Sequence, residues 1–465
     1  MSKPQHGQGV YIVGGARTDS VKYDTTNYRS LSDLLAAPVR QIPENVQHMV
    51  DTVYVIHRYP TPLSLDFDRE KFVSQTALRK GETLRIFRDD RSTLGGMDVI
   101  KKVVTDLERG DRSTVLVVGG EVFETSVWQR LNARRPPEPA EAACQNEQQS
   151  SGLEMYQLKE RRFILNRFGG LPPTELETGL TPVSANALVA DAFFRAASLS
   201  TADMDELMCH ISSHVEKYAY MNPHAYQHHK DGGMDRVTPD KYRRCVKRER
   251  KWPFTLLDLC SISNGAGALV FTNEPEEFIH KVEVAGCVIN KQYANTSLLD
   301  RPRISQFDSN REAWRELKRT LSLDLRRRPP GERPLMILEL FDIYTFQIAM
   351  TLIEMGMYEN VHEILRDFRA GYFDPAPGIF EATKFQGIDP ACGVILNPSG
   401  GSKDGHANGG HALVKAAECF FQLTELGRGD NSLSLPSKDL EMALIQTLSG
   451  IGNTAGILAL KKCPV

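Results

Sequence analysis

Gly393-Val394-Ile395-Leu396-Asn397-Pro398-Ser399-Gly400-Gly401 is a short apolar run that stops in a turn-forming segment, and Gly405-His406 follows it. An apolar run bounded by glycine and proline reads as a buried strand and its turn. Residues 411–426, closed by Gly427, then read as a helix. The same order appears elsewhere in the chain. Val10-Tyr11-Ile12-Val13 is stopped by Gly14-Gly15, and Thr114-Val115-Leu116-Val117-Val118 by Gly119-Gly120, so each reads as a strand ending in a turn. Between them, apolar residues at Leu94, Met97, Ile100, Val103, Val104 and Leu107 keep a helical spacing that ends at Gly110. Further on, 335–340 reads as a strand, 344–355 as a helix ending at Gly356, and 456–460 as a last strand. Strands alternating with helices predict two α/β halves with covered, mostly buried sheets.

The stretch 128–253 departs from that order. Arg134-Arg135-Pro136-Pro137-Glu138-Pro139 has loop composition, and 241–251 is densely basic. The expected organisation is a first half of 1–127 plus 254–275, an inserted loop domain of 128–253, and a second half of 276–465. The chain has 465 residues, of which 41% are hydrophobic and 25% charged, enough for a large buried core and too apolar for disorder. Its 56 basic and 59 acidic residues leave a net charge of −3, which removes the electrostatic case for a nucleic-acid binder. Eight dispersed cysteines, with no C-x-x-C pair, fit neither a disulfide framework nor a zinc site. Apolar runs fall well short of the roughly 20 residues of a membrane span, and no secretory signal is expected. The terminal Cys463-Pro464-Val465 is not a peroxisomal Ser-Lys-Leu tripeptide, so the expected compartment is cytoplasmic or mitochondrial.

Five strings in a fixed order carry a family resemblance. Val10 to Thr18 resembles an opening V-x-I-V-G-x-x-R-T, and Asn222-Pro223 resembles an N-N-P-Y segment. Leu257 to Ala268 is similar to L-D-x-C-x-x-S-D-G-A-A-A, and Asn397 to His406 to N-P-S-G-G-x-x-x-G-H-P. Gly450-Ile451-Gly452 resembles a closing glycine turn. Together they resemble the thiolase superfamily, most closely its sterol-carrier-protein thiolase branch. The resemblance implies two pseudo-symmetric halves in a five-layered α/β/α/β/α sandwich with an inserted loop domain. It also implies acyl-CoA as substrate or ligand, no other cofactor, no metal, and a homodimer.

The chain departs from the family where the chemistry sits. A thiolase places a cysteine at a helix N-terminus, where the dipole favours the thiolate. The matching segment, Asp89 to Met97, contains no cysteine. Ser92 and Thr93 are hydroxyl candidates there, but a hydroxyl needs a positioned base, and both are also good helix caps. The family's H-D-C-F becomes Phe341-Asp342-Ile343-Tyr344, and phenylalanine neither donates a hydrogen bond nor carries a proton. Asp342 and Tyr344 are the nearby acid–base candidates; their alternatives are a cap and a packed aromatic. His406 is retained in the Gly-His step, and its near-neutral reference pKa suits proton transfer.

For ligand binding, the glycine N–H groups at Gly400, Gly401, Gly450 and Gly452 can receive a thioester oxygen. Arg243, Arg244 and Lys247, in the basic run, are candidates for the CoA phosphates, against the alternative of a solvated surface. The resemblance gives an acyltransferase of lipid metabolism with an altered site and little or no ordinary thiolase activity. Two other readings stand beside it: a non-catalytic acyl-CoA or lipid-binding scaffold with a possible partner subunit, or a retro-aldol carbon–carbon lyase that forms no acyl-cysteine.

Overall fold

Strand pairing in the computed structural model repeats the same pattern twice. Residues 9–22, 30–58, 67–78, 83–89, 94–110, 113–121, 180, 182–225, 237–249, 253–260, 263–292, 297–326, 335–373, 394–406, 408–424, 426 and 440–464 are described. They hold β1 (Tyr11–Arg17), β2 (Val21–Lys22), β3 (Thr52–Arg58), β4 (Thr83–Asp89), β5 (Thr114–Glu121) and β6 (Ser263–Thr272). After these come β7 (Val282–Asn290), β8 (Leu335–Glu339), β9 (Val394–Leu396), β10 (Leu440–Ser449) and β11 (Thr454–Lys462). The sheet order is β4-β3-β5-β6-β1-β7-β11-β10-β8-β9, with β2 on β6. Read outward from the centre, each half places its first strand innermost, then its fifth, fourth, second and third, with β2 left out. Strand directions also match, two antiparallel pairings followed by two parallel ones. β1 and β7 join the halves antiparallel at Tyr11–Glu283 and Ile12–Val282.

Helices cover the sheet on both faces, as the fully buried β5, β6 and β9 require. Helix Leu31–Gln41 lies on β1, β5 and β6, and helix Asp308–Leu321 lies on β7 and β11. Between the halves sit helices Gly95–Glu108 and His411–Thr424, each touching strands of both halves and one another. One apolar cluster joins Leu107, Phe271, Leu413, Phe420 and Leu458 through this middle layer. The result is the expected five-layered sandwich of two pseudo-symmetric halves. Helices Pro182–Ala196, Thr201–Met221 and Pro239–Glu249 stand between β5 and β6. Residues 128–179 of the expected insertion lie outside the described residues.

Two sequence expectations about turns are corrected. Gly14-Gly15 and Gly119-Gly120 lie inside β1 and β5 and do not end them. They are glycines because of close approach: a Cβ on Gly15 would lie 3.0 Å from Phe420, and one on Gly119 would lie 2.9 Å from Ile56 and 3.0 Å from the Gly409 carbonyl. The glycine-containing Ser263 to Ala266 segment likewise belongs to a strand, β6. The helix expected over 344–355 spans Phe346–Glu354. Its first residues are held instead by the 254–260 segment, through Cys260 N–H to the Ile343 carbonyl (3.0 Å) and Thr345 N–H to the Asp258 carbonyl (3.0 Å).

Candidate functional site

β8, β9 and β10 run parallel, so their carboxyl ends, and the loops that leave them, gather on one edge of the second half. Asn397 is the hub of that edge. Its N–H donates to the Leu338 carbonyl (2.7 Å), its side-chain Nδ2 donates to the Leu340 carbonyl (3.0 Å), and its Oδ1 accepts from Leu340 N–H (2.7 Å). It holds φ +47°, a left-handed conformation that asparagine tolerates better than most residues. Phe341 N–H donates to Gln446 Oε1 on β10 (2.7 Å), tying the third loop to the other two. At the end of β10, Gly450 and Gly452 take φ +64° and +66°. Arg301 donates to the Ile451 carbonyl (2.5 Å) and to Asn453 Oδ1, Ser309 Oγ donates to the Gly452 carbonyl (2.5 Å), and Ile451 N–H is taken by Asn453 Oδ1 (3.2 Å).

Inside this edge two imidazoles meet one phenyl ring. The Phe341 ring lies edge-on to His406 (5.7 Å between centroids) and to His411 (5.3 Å), and the two histidines are 5.1 Å apart. All three are buried, at 2%, 6% and 3% exposure. Burial, then His406, Lys415 and Arg17, push the basicity of His411 far below the ordinary histidine value, so at neutral pH it is an uncharged imidazole. Which of its nitrogens carries the proton is set by its partners. Asp342 accepts from Ser402 N–H (2.6 Å) and so caps the short helix Gly401–Asp404, with burial raising its pKa. Tyr344 stacks on Phe254 (5.1 Å), and burial raises its hydroxyl pKa.

A buried ion network holds the loop that carries His406. From β1, Arg17 donates to Asp404 through two nitrogens (2.6 and 2.9 Å), to Glu418 (2.8 Å), to Ser20 Oγ (2.8 Å) and to the His224 carbonyl (3.2 Å). Lys415 donates to Ser399 Oγ (2.7 Å), the Gly401 carbonyl (2.6 Å) and Asp404 (3.0 Å). Ser399 in turn donates to both oxygens of Glu339 (2.9 Å from N–H, 2.8 Å from Oγ). Five ionisable groups, two cationic and three acidic, would leave one excess negative charge if all were ionised. Burial pushes the Glu339 carboxyl up to about 7, against the opposing pull of Lys415 and Ser399, which removes that excess below neutrality. A raised carboxyl pKa lowers stability as pH rises from the unfolded value through the folded one. Stability is therefore expected to fall by about 1 kcal/mol between pH 6 and pH 8 on account of Glu339. Urea unfolding of the native chain and of Glu339→Gln at both pH values checks this; equal losses in the two proteins would refute it.

The structure thus gathers His406, Asp342, Gly400 and Gly401 in one place, with Gly450 and Gly452 on the same edge. Ser92 and Thr93 lie outside the described residues. Helix Gly95–Glu108, which follows them, brings Gly96 against Ala412 at the start of helix His411–Thr424, a Cβ on Gly96 lying 3.2 Å away. Arg243 and Arg244 are exposed on helix Pro239–Glu249, where they bond Asp240 (2.7 Å) and its carbonyl (3.3 Å). Lys247 lies on the same helix, its side chain outside the described residues. Burial pushes the thiols of Cys209 up to about 11 and of Cys260 and Cys287 up to about 12, so these three offer no thiolate near neutral pH. Sequence reasoning placed His411 only at the start of the 411–426 helix and missed its meeting with His406; a histidine five positions after His406 was the available signal. Arg17, Glu339 and Lys415 were not singled out, because their roles depend on partners remote in sequence.

No protein-family model and no curated protein sequence matches the chain. Solved structures do. The Ltp2-ChsH2(DUF35) aldolase aligns with a TM-score of 0.63 at 16% identity, covering 98% of each chain. A monomeric SCP2-thiolase like protein type 1 from Mycobacterium smegmatis aligns with a TM-score of 0.61 at 13% identity over 99% of this chain and 78% of that one. The Acat5 thiolase from Ascaris suum, in complex with coenzyme A, aligns at 0.56 and 14% over 98% and 100%. At such identities the likeness establishes architecture, and it does so over almost the full length. The chain has the thiolase fold, in the arrangement shared by thiolases and SCP2-thiolase-like proteins.

Proposed function

We propose that this is a thiolase-like protein of lipid metabolism that binds acyl-CoA and performs little or no thiolysis. The observation that carries this reading is Phe341, buried against His406 and His411 at the position where the resembled family has a histidine for the thioester oxygen. Thiolysis uses its nucleophile, base and oxyanion hole as a unit, and loss of one member removes most of the rate. The CoA-bound thiolase among the structural neighbours supports CoA as the ligand class. Arg243, Arg244 and Lys247 would meet its phosphates. Acetoacetyl-CoA turnover by the pure protein is expected to lie at least about a thousandfold below an ordinary enzymatic rate of roughly 10 per second. Turnover near that rate would end the reading. Calorimetric titration with CoA at low and high salt tests the binding arm, where affinity is expected to fall as salt rises.

A second reading, carbon–carbon lyase, is favoured by the likeness to an aldolase over 98% of both chains. A base would take the proton of a β-hydroxyl as the carbon–carbon bond breaks. The electron pair passes into the thioester enolate, which takes up a proton, so that a carbonyl compound and a shorter acyl-CoA are released. No cysteine is needed. His406 is the base within the described site, and a partner subunit or a second copy of the chain would complete it. Incubation with a 3-hydroxyacyl-CoA, followed by mass spectrometry for the shortened thioester, separates this reading from the first. No helix among the described residues is long and apolar enough to cross a membrane, and no group of metal-ligating side chains occurs among them.

A further inference from the structure

His411 is a buried polar group for which neither fold nor family resemblance supplies a task. Its Nδ1 has no hydrogen-bond partner among the described residues, although the side chain is 3% exposed. It is the first residue of helix His411–Thr424, where unpaired backbone N–H groups concentrate positive potential. Burying a polar nitrogen with no partner costs free energy, and the cost is recovered when a ligand supplies the partner. We infer that Nδ1 of His411 is a ligand-contact group that donates a hydrogen bond to the carbonyl oxygen of a bound thioester. The inference rests on the acyl-CoA reading given above and adds to it the atom that recognises the acyl group.

The charges around the ring fit an electron-rich oxygen. Arg17 from β1, Lys415 from the same helix and His406 from the preceding loop are the charged or titratable groups acting on it. Asp404 and Glu418 are engaged with Arg17, Asp404 also with Lys415, and Asp342 with Ser402 N–H. A field of that sign opposes a second positive charge on the ring and favours negative charge on an oxygen bonded to it. The phenyl ring of Phe341 closes one side of the imidazole without competing for the bond. In its Nδ1–H tautomer, the one a carbonyl oxygen selects, the uncharged imidazole is a donor held in place by its packing.

Free CoA and acetyl-CoA, titrated calorimetrically into the full-length protein, test this, since only the second has the carbonyl. The expected result is that acetyl-CoA binds about tenfold more tightly than CoA, the value of one hydrogen bond to a buried donor. His411→Phe is expected to abolish the preference while leaving CoA affinity unchanged, and His411→Asn, which restores a side-chain N–H, to recover part of it. A preference that survives in His411→Phe overturns the inference and leaves the acyl-CoA reading intact. Absence of binding by either ligand overturns both. Should His411→Phe not fold, the carbonyl resonance of [1-13C]acetyl-CoA on the unaltered protein decides: a downfield shift supports the bond, and a free-solution value rejects it.

Discussion

Arg17→Met is expected to destabilise the protein by about 3–5 kcal/mol, the range for removing one partner of a buried ion pair. The guanidinium is 2% exposed and makes two bonds to Asp404 and one to Glu418, so the variant leaves two carboxylates in the interior with Lys415 as the remaining cation bound to Asp404. Arg17→Lys returns the charge without the planar fork and is expected to recover only part of the loss. Arg369 supplies the control. It pairs with Asp203 and Glu206 at 2.9 and 2.7 Å, but half of its side chain is in water, where screening and side-chain entropy erase most of the gain. Urea unfolding should therefore show a large loss of midpoint in Arg17→Met and little change in Arg369→Met. Equal effects would mean that the Arg17 network is hydrated or unimportant to the fold.

The contrast between Arg17 and the strands around it explains how much was legible beforehand. Local grammar locates β5, β8, β9 and the two central helices, because apolar runs and their glycine stops lie within a few residues of one another. Strand order was not accessible in that way. β7 pairs with β11 from Cys287 to Leu458, and β1 with β6 from Tyr11 to Thr272, contacts that no short window contains. Only the ordered set of five resembling strings carried the global arrangement. The glycine pairs in β1 and β5 show the opposite failure: the residues were noticed, but a close approach of packed helices and strands was read as a turn.

The site was legible in its letters and not in its connections. Asn397, Gly400, Gly401 and His406 stand close together in sequence and were found together. Arg17 lies 387 positions from Asp404 and 401 from Glu418, so its bonds could not be anticipated from either end of the chain. Asp342 was considered for proton transfer because it is near the altered H-D-C-F segment. In the fold its carboxylate meets Ser402 N–H, and burial as well as that bond fit a structural cap. The loop that carries Asp342 out of solvent also sets Phe341 against two histidines that touch each other, and only one of these was marked as functional in advance.

Gly400 tests how the helix Thr201–Met221 is fastened to that loop. His214 Nε2 donates to the Leu396 carbonyl (2.9 Å) and Asn222 Nδ2 donates to the Ser399 carbonyl (2.9 Å), so the helix and its C-cap are bonded to the segment that leads into Gly400. A Cβ at Gly400 would lie 2.5 Å from Ala219 Cβ and 2.6 Å from Ala219 N, a backbone atom of the helix that cannot swing away. The residue also holds φ +91°, a conformation that costs an L-amino acid roughly 1–2 kcal/mol. Overpacking in a close-packed site adds about 1–3 kcal/mol, so Gly400→Ala is expected to cost about 2–5 kcal/mol in all. Gly110→Ala isolates the first contribution, because Gly110 has φ +76° and nothing within 4 Å of a built Cβ. The steric part is then the difference between the two variants in urea unfolding. Hydrogen exchange gives its location: protection should fall in 201–221 and 397–404 in Gly400→Ala and remain unchanged there in Gly110→Ala. If the two variants lose equal stability, the helix is not held against Gly400, and the packing between the 201–221 helix and the His406 loop is looser than these distances require.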